Sequence, residues 1–254
     1  AAMTALVPLQ WLSRLVSEAQ APDSPARANT LLVRGAAVEA LEEALGQRWQ
    51  LQDMGLTLST RGEVVSLRSE RIVLPEVLVD AARGAASGEV LTWFANPLRS
   101  GDREVPYSFV SAVKSTASWE LRDDEVVINT WLADQLDAAP GDTLEIVYPT
   151  FGARRTRGEA RASFRVTEVV AIEGLAADPS LSIAFPGFAG ARSCREWEPG
   201  VAIDLERIRP VDEAYWTAHQ GTPKAFISPS AAATLWRNPY GSLTSLQASK
   251  ATAD

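Results

Sequence analysis

DDEVVINTWLADQLDAAPGDTLEIVY, residues 123–148, is the stretch on which the fold turns. Glu125–Ile128 is an apolar, β-branched run bounded by acids, which predicts a short buried strand. Asn129 then stands where a helix N-cap belongs, because its side-chain oxygen can accept from an otherwise orphaned backbone N–H. Trp131, Leu132 and Leu136 fall on one face of the short helix that follows. Ala139-Pro140-Gly141-Asp142 has the residues of a tight turn, and Thr143–Tyr148 resumes as a strand. Beyond a polar, arginine-rich loop from Gly152 to Arg161, Ser163–Ile172 (SFRVTEVVAI) returns as a strand that Gly174 ends.

Toward the N-terminus, Gly55–Ser59 and Glu63–Arg68 alternate like the arms of a hairpin, with Gly62 taking the positive φ of its turn. Pro75 opens a helix through Leu78, Ala82 and Ala85, where its missing N–H costs nothing. Glu89–Ala95 and Tyr107–Val113 form another strand pair around a polar loop containing Gly101. Earlier still, residues 3–17 have helical apolar spacing, and Asn29–Arg34 is a short strand. An amphipathic helix (Val38, Leu41, Leu45) runs on to Gly46.

Toward the C-terminus the chain from Leu175 is loop-rich, punctuated by Pro179, Pro186, Pro199 and Pro210. Lys224–Ile227 is a strand. Ser228 caps a helix with Pro229 at its first position and Leu235 and Trp236 buried, and Leu243–Gln247 is a last strand. The whole predicts an α+β fold with mixed pairing. No clean linker interrupts it, which favours one nested unit over domains in series.

Composition narrows the function. Of 254 residues 46% are hydrophobic and 22% charged, ordinary globular usage, and the eight tryptophans are expected in cores and interfaces. A net charge of −8 argues against nucleic acid as a partner, since binding to phosphate needs a basic footprint. The lone Cys194 rules out an internal disulfide, and the lone His219 rules out multi-histidine metal sites. The longest apolar runs fall far short of the ~20 residues that span a bilayer.

Phosphate-wrapping P-loops, dinucleotide fingerprints and nucleophile elbows are all missing, so no catalytic residue, metal ligand or cofactor is assigned. His219 sits by a turn without a motif-borne nucleophile. Asp204 and Glu206 alternate with Ile203 and Leu205, which puts both acids on one face of an extended segment and makes Asp204 a candidate polar contact. Arg154, Arg155, Arg157, Arg161 and Arg165 make the one basic cluster, expected to be a solvated hairpin loop offset by Glu159. Trp197, Trp216 and Lys224 complete the candidate contacts with a ligand or partner, although core packing is the expected role of the tryptophans.

Two stretches carry a family resemblance. Residues 123–174, with Val126–Ile128, Trp131–Leu136, Gly141-Asp142, Leu144–Val147 and Phe164–Val170, are similar to extracytoplasmic domains of FtsX-like, MacB-type ABC-transporter permeases. Residues 193–246 resemble a subgroup of large bacterial FtsX-like permeases through a Cys–Trp–Pro-Gly loop, an Asp-Leu–Arg-Ile-Arg run and Tyr-Trp followed by Gly-Thr-Pro-Lys-Ala-Phe. The resemblance implies a domain excised from between transmembrane helices and facing the periplasm or the outer medium. It further implies a porter-like α/β subdomain in two parts, residues 1–122 and 175–254, with a smaller β-rich subdomain, 123–174, inserted.

An ATP-binding subunit would act from the cytoplasm, and the domain would transmit its motion to substrate export or to an extracytoplasmic protein partner, with a homodimer allowed in the intact transporter. The competing expectation is a module that captures a lipid or amphiphilic solute in a cleft lined by Trp197, Trp216 and Lys224. A hydrolase built on His219 is the weakest of the three.

Overall fold

The computed structural model describes residues 34–35, 37–115, 118–151, 157–183, 188, 191–197, 204–236, 238 and 240–250. The chain divides into two compact units, Ala1–Gln50 and Leu51–Asp254. In the first, helix α1 covers Val38–Arg48. It runs through Gly46, where the sequence predicts its end, because an interior glycine costs a helix ~1 kcal/mol without breaking it. Its last bond is donated by Trp49 N–H to the Leu45 carbonyl at 2.9 Å. The expected helix over 3–17 lies outside the described residues, as does the strand over 29–34 except for Arg34.

The second unit is organised by a single sheet of eleven strands among the described residues. In chain order these are β1 (Leu56–Arg61), β2 (Val64–Ser69), β3 (Gly88–Ala95), β4 (Leu98–Ser100), β5 (Arg103–Val105) and β6 (Ser108–Lys114). They continue as β7 (Glu125–Asn129), β8 (Thr143–Phe151), β9 (Arg157–Val170), β10 (Ala225–Ile227) and β11 (Ser245–Ser249). The helices are α2 (Glu76–Ala82), α3 (Thr130–Leu136), α4 (Pro210–His219) and α5 (Pro229–Leu235). Spatial order is β1-β2-β11-β3-β6-β10-β7-β9-β8-β4-β5. β10 runs parallel to β6 and β7 parallel to β9, while the other pairs are antiparallel. The fold is α+β with a mixed sheet.

The deciding stretch folds as its residues dictate. Asn129 Oδ1 accepts from Leu132 N–H at 2.8 Å and caps α3. In the turn, Asp142 Oδ2 accepts from Ala139 N–H at 2.8 Å, and Gly141 holds φ 104, a conformation that favours glycine. Gly141 N–H donates to Val166 O, and Val166 N–H to Asp142 O, both at 2.8 Å, which joins the turn to β9.

Three expectations are corrected. Residues 157–161, expected in an arginine-rich loop, are strand: Arg157 pairs with Phe151 and the ladder continues to Thr143↔Arg165. An antiparallel ladder asks only for backbone bonds, so charged residues do not bar a strand here. The polar loop around Gly101 is the hairpin β4–β5, in which Leu98 and Val105 pair and are both fully buried. Pro210, taken as loop punctuation, is the first residue of α4, where its fixed φ and absent N–H suit a helix start.

β3 feeds β4 through only Asn96 and Pro97, yet six places separate the two strands in the sheet order. The sheet therefore curls until its far strands return to the end of β3. Asn96 N–H donates to Val147 O at 2.7 Å and Val147 N–H to Pro97 O at 3.0 Å, closing the gap. Central strands are buried on both faces and read as nearly continuous apolar runs. Leu91, Trp93, Val110, Val126, Ile128 and Ala225 face one core with Leu132, Ala232 and Trp236. Val90, Val113, Val127 and Phe226 face a second with Ala176 and Leu181. Phe94 and Phe109 enter a third, aromatic core with Phe188, Trp197 and Trp216.

Candidate functional site

The aromatic core is where the expected contact residues meet. Its floor is the end of β3 and the start of β6, where Phe94 pairs with Phe109 and both rings lie on the same side of the sheet. α4 lies above, contributing Asp212, Tyr215 and Trp216, and a short 3-10 turn at Cys194–Glu196 brings in Cys194 and Trp197. Trp197 and Trp216 meet edge to face with centroids 4.9 Å apart, and Phe188 lies 4.7 Å from Trp197. Such pairings add about 0.5–1.5 kcal/mol each beyond the area they bury.

Lys224 is placed by the strand start that leads into β10: its N–H donates to Phe109 O, and its carbonyl accepts from Asn129 N–H, each at 3.0 Å. The side chain is buried, 4% exposed. Nζ lies over the rings of Trp131, at 4.3 Å, and Tyr215, at 4.8 Å. Among the described residues no carboxylate forms an ion pair with it. Burial pushes the ammonium down to about 8, with Asp212 pulling the other way.

The polar groups around it are mostly engaged. Arg209 holds Asp212 through Nε at 2.8 Å and a terminal nitrogen at 2.9 Å, while Asp212 accepts the Arg209 N–H at 2.9 Å and starts α4. Tyr107 hydroxyl donates to Asp204 O at 2.8 Å and accepts from Asp204 N–H at 2.6 Å. Tyr215 hydroxyl accepts from Asn129 Nδ2 at 3.0 Å and donates to Thr222 O at 3.3 Å. Burial, reinforced by Glu213, holds the Cys194 thiol far up in its protonated form, so the inert, buried thiol is what the fold provides.

Trp197, Trp216 and Lys224 thus line one cavity of about 20 Å3, the room of a single water. Asp204 is not among its walls. The extended segment expected at 203–206 is, from Leu205 to Arg207, a 3-10 turn, and Asp204 Oδ1 caps it by accepting from Glu206 N–H at 3.0 Å. Asp and Asn prefer such caps over an open strand edge, which is why alternation misleads here. His219 ends α4 with its ring 4.9 Å from that of Tyr215.

Of the arginine cluster, Arg165 pairs with Glu125 at 2.6 Å and Arg161 with Glu145 at 3.8 Å, so carboxylates on neighbouring strands offset them; Arg154 and Arg155 lie outside the described residues. Sequence reasoning missed Tyr107, whose only signal was a position at the mouth of a predicted strand. Among the described residues no group of three or more His, Cys, Asp or Glu is placed to hold a metal ion, and no helix is long and apolar enough to cross a membrane.

Fold and site define an α+β protein whose curled mixed sheet carries a small, aromatic-walled cavity beside a buried lysine. No family model matches the chain, and no curated protein does. Among solved structures it is similar to the periplasmic region of MacB from Actinobacillus actinomycetemcomitans, with a TM-score of 0.38 and 10% identity over 78% of this chain and 77% of that one. At that level the likeness carries no argument.

Proposed function

We propose that this chain is the extracytoplasmic domain of an FtsX-like, MacB-type ABC-transporter permease, without catalysis of its own, which passes motion from a cytoplasmic ATP-binding partner to substrate or to a protein outside the membrane. The observation that carries the reading is the resemblance of residues 123–174 and 193–246 to that family. The first of these stretches folds as the resembling pattern requires, strand, capped helix, Gly-Asp turn, strand and returning strand. The division into residues 1–122 and 175–254 around an inserted 123–174 belongs to the same proposal, as do a homodimer and an extracytoplasmic partner. Exposed Asp204 is the contact residue a protein partner reaches first.

Capture of a lipid or amphiphile requires the aromatic wall at Trp197 and Trp216 to part, since a cavity of about 20 Å3 holds neither. The test is to express the complete reading frame with an affinity tag. Recovery from the membrane fraction together with an ATP-hydrolysing subunit supports the proposal. A frame that yields a free secreted protein, with no membrane-spanning segment and no such subunit, overturns it.

A further inference from the structure

Arg61 on β1 and Arg68 on β2 stand on one face of their hairpin. Arg68 pairs with Thr57, and alternation sets Thr57 on the same side as Arg61. The opposite face carries Leu58, paired with Leu67. Both arginines line a cleft of about 440 Å3, room enough for a small molecule. Ser182, Phe188, Trp216 and the end of α4 contribute to its other walls. Among its described wall residues none is acidic.

Neither arginine forms an ion pair among the described residues. Arg68, half-buried, donates from one terminal nitrogen to Ser180 O, while its Nε is buried without a partner. Burial first, and then the charge of Arg61, push the Arg68 guanidinium below its ordinary value, with Asp178 pulling the other way. Acceptors nearby are engaged. Asp178 Oδ1 takes the Ser180 N–H at 2.8 Å, Trp216 O the Gln220 N–H at 2.8 Å, and His219 O the Thr222 hydroxyl at 2.6 Å. In a chain of net charge −8, two guanidinium groups that repel one another thus share a cleft whose wall supplies no counter-charge. The planar fork of arginine matches a carboxylate or a phosphate, and aromatic rings in the same wall suit an apolar body. We propose that this cleft binds a small organic anion, its oxyanion head on Arg61 and Arg68 and its apolar part against Phe188 and Trp216. The inference rests on this geometry alone and stands whether or not the transporter reading does.

The test titrates 8-anilinonaphthalene-1-sulfonate, an oxyanion on an aromatic body, onto the folded 254-residue chain and reads its fluorescence. Saturable binding of one equivalent is expected. Arg61→Glu, at an exposed position, should leave the melting temperature within about 2 °C and weaken binding roughly tenfold or more. Arg68→Gln should weaken it as much, the loss of one hydrogen bond between charged groups. If Arg68→Gln does not fold, Arg61→Glu alone decides. Octanoate and octyl phosphate should displace the probe where octanol does not, and the stronger of the two tells a carboxylate head from a phosphate. Binding to the wild type that does not saturate, equal affinity in Arg61→Glu, or displacement by octanol as readily as by the two anions overturns the proposal.

Discussion

Lys224 Nζ stands 4.3 Å from the centre of the Trp131 ring and 4.8 Å from that of Tyr215, so one buried cation joins α3 to α4 across the start of β10. Ring faces attract a cation but do not replace its hydration, and burial holds the folded-state pKa at about 8 against an ordinary 10.5. Asp212 on α4 and Cys194 favour the charged form, and Arg209 opposes it.

The sign of the resulting pH dependence follows. Between about pH 8 and 10.5 the unfolded chain keeps the proton that the folded chain has released, so stability rises with pH through that window. Lys224→Met cannot titrate and should lose this rise, while staying at least as stable as the wild type at neutral pH, because an unpaired charge is replaced by an apolar chain of similar length. Urea midpoints at a series of pH values measure the difference. Parallel profiles for the two proteins would sink the idea.

Asn129 is doubly used, capping α3 through Oδ1 and donating to the Tyr215 hydroxyl through Nδ2. Asn129→Ala should cost about 1 kcal/mol for the cap and about 1–3 for the polar group left short of a partner. Asn129→Ser keeps a capping oxygen and should lose only the second part. A double-mutant cycle with Tyr215→Phe should show coupling of about 0.5 kcal/mol or more, and additive losses would refute the link.

Gly241 lies where a side chain has no room: a Cβ there would overlap the Leu74 carbonyl oxygen, backbone that cannot swing aside. Gly241→Ala should therefore break the bridge in which Leu74 N–H donates to Leu243 O at 2.7 Å. A loss of more than about 3 kcal/mol is expected by denaturant unfolding, beyond the usual range for a glycine-to-alanine change.

Glu125 accepts from Arg122 at 2.7 Å and from Arg165 at 2.6 Å. Hydrogen bonds from Arg122, with both guanidinium charges beside it, hold its carboxyl below its usual 4.5. A depressed carboxylate stabilises the fold above that value and stops doing so as pH falls through the folded pKa. Glu125→Gln should be less stable at neutral pH and should show a shallower loss in acid. Melting temperatures between about pH 6 and 3 give the comparison.

How much of this was legible depends on how local the cause is. β3, β6, β7 and β10 announce themselves because both faces are buried, leaving no polar alternation to confuse the pattern. The caps at Asn129 and Ser228 lie within three residues of the N–H groups they satisfy, at Leu132 and Ala231. α4 escaped because its buried face mixes Asp212 with Tyr215 and Trp216, and a charged residue buried by an arginine three positions away looks solvated in one dimension. Three of the four named contact residues do share a cavity. What makes that cavity, aromatic rings and a buried lysine brought together from separate segments of the chain, has no trace in sequence spacing.

The place of β11 has a consequence for biosynthesis. It lies between β2 and β3, pairing Leu246 with Leu67 on one side and Ser245 with Val90 on the other. The β1–β2 hairpin, made early, has no permanent seat until that late strand arrives, since no other described strand bonds to β2 on that side. On the ribosome the hairpin waits with an open edge while the rest of the sheet is spelled out, and the long loop that must then close slows the step. Assembly of this half of the sheet is thus timed by translation, with a chaperone's opportunity in the interval.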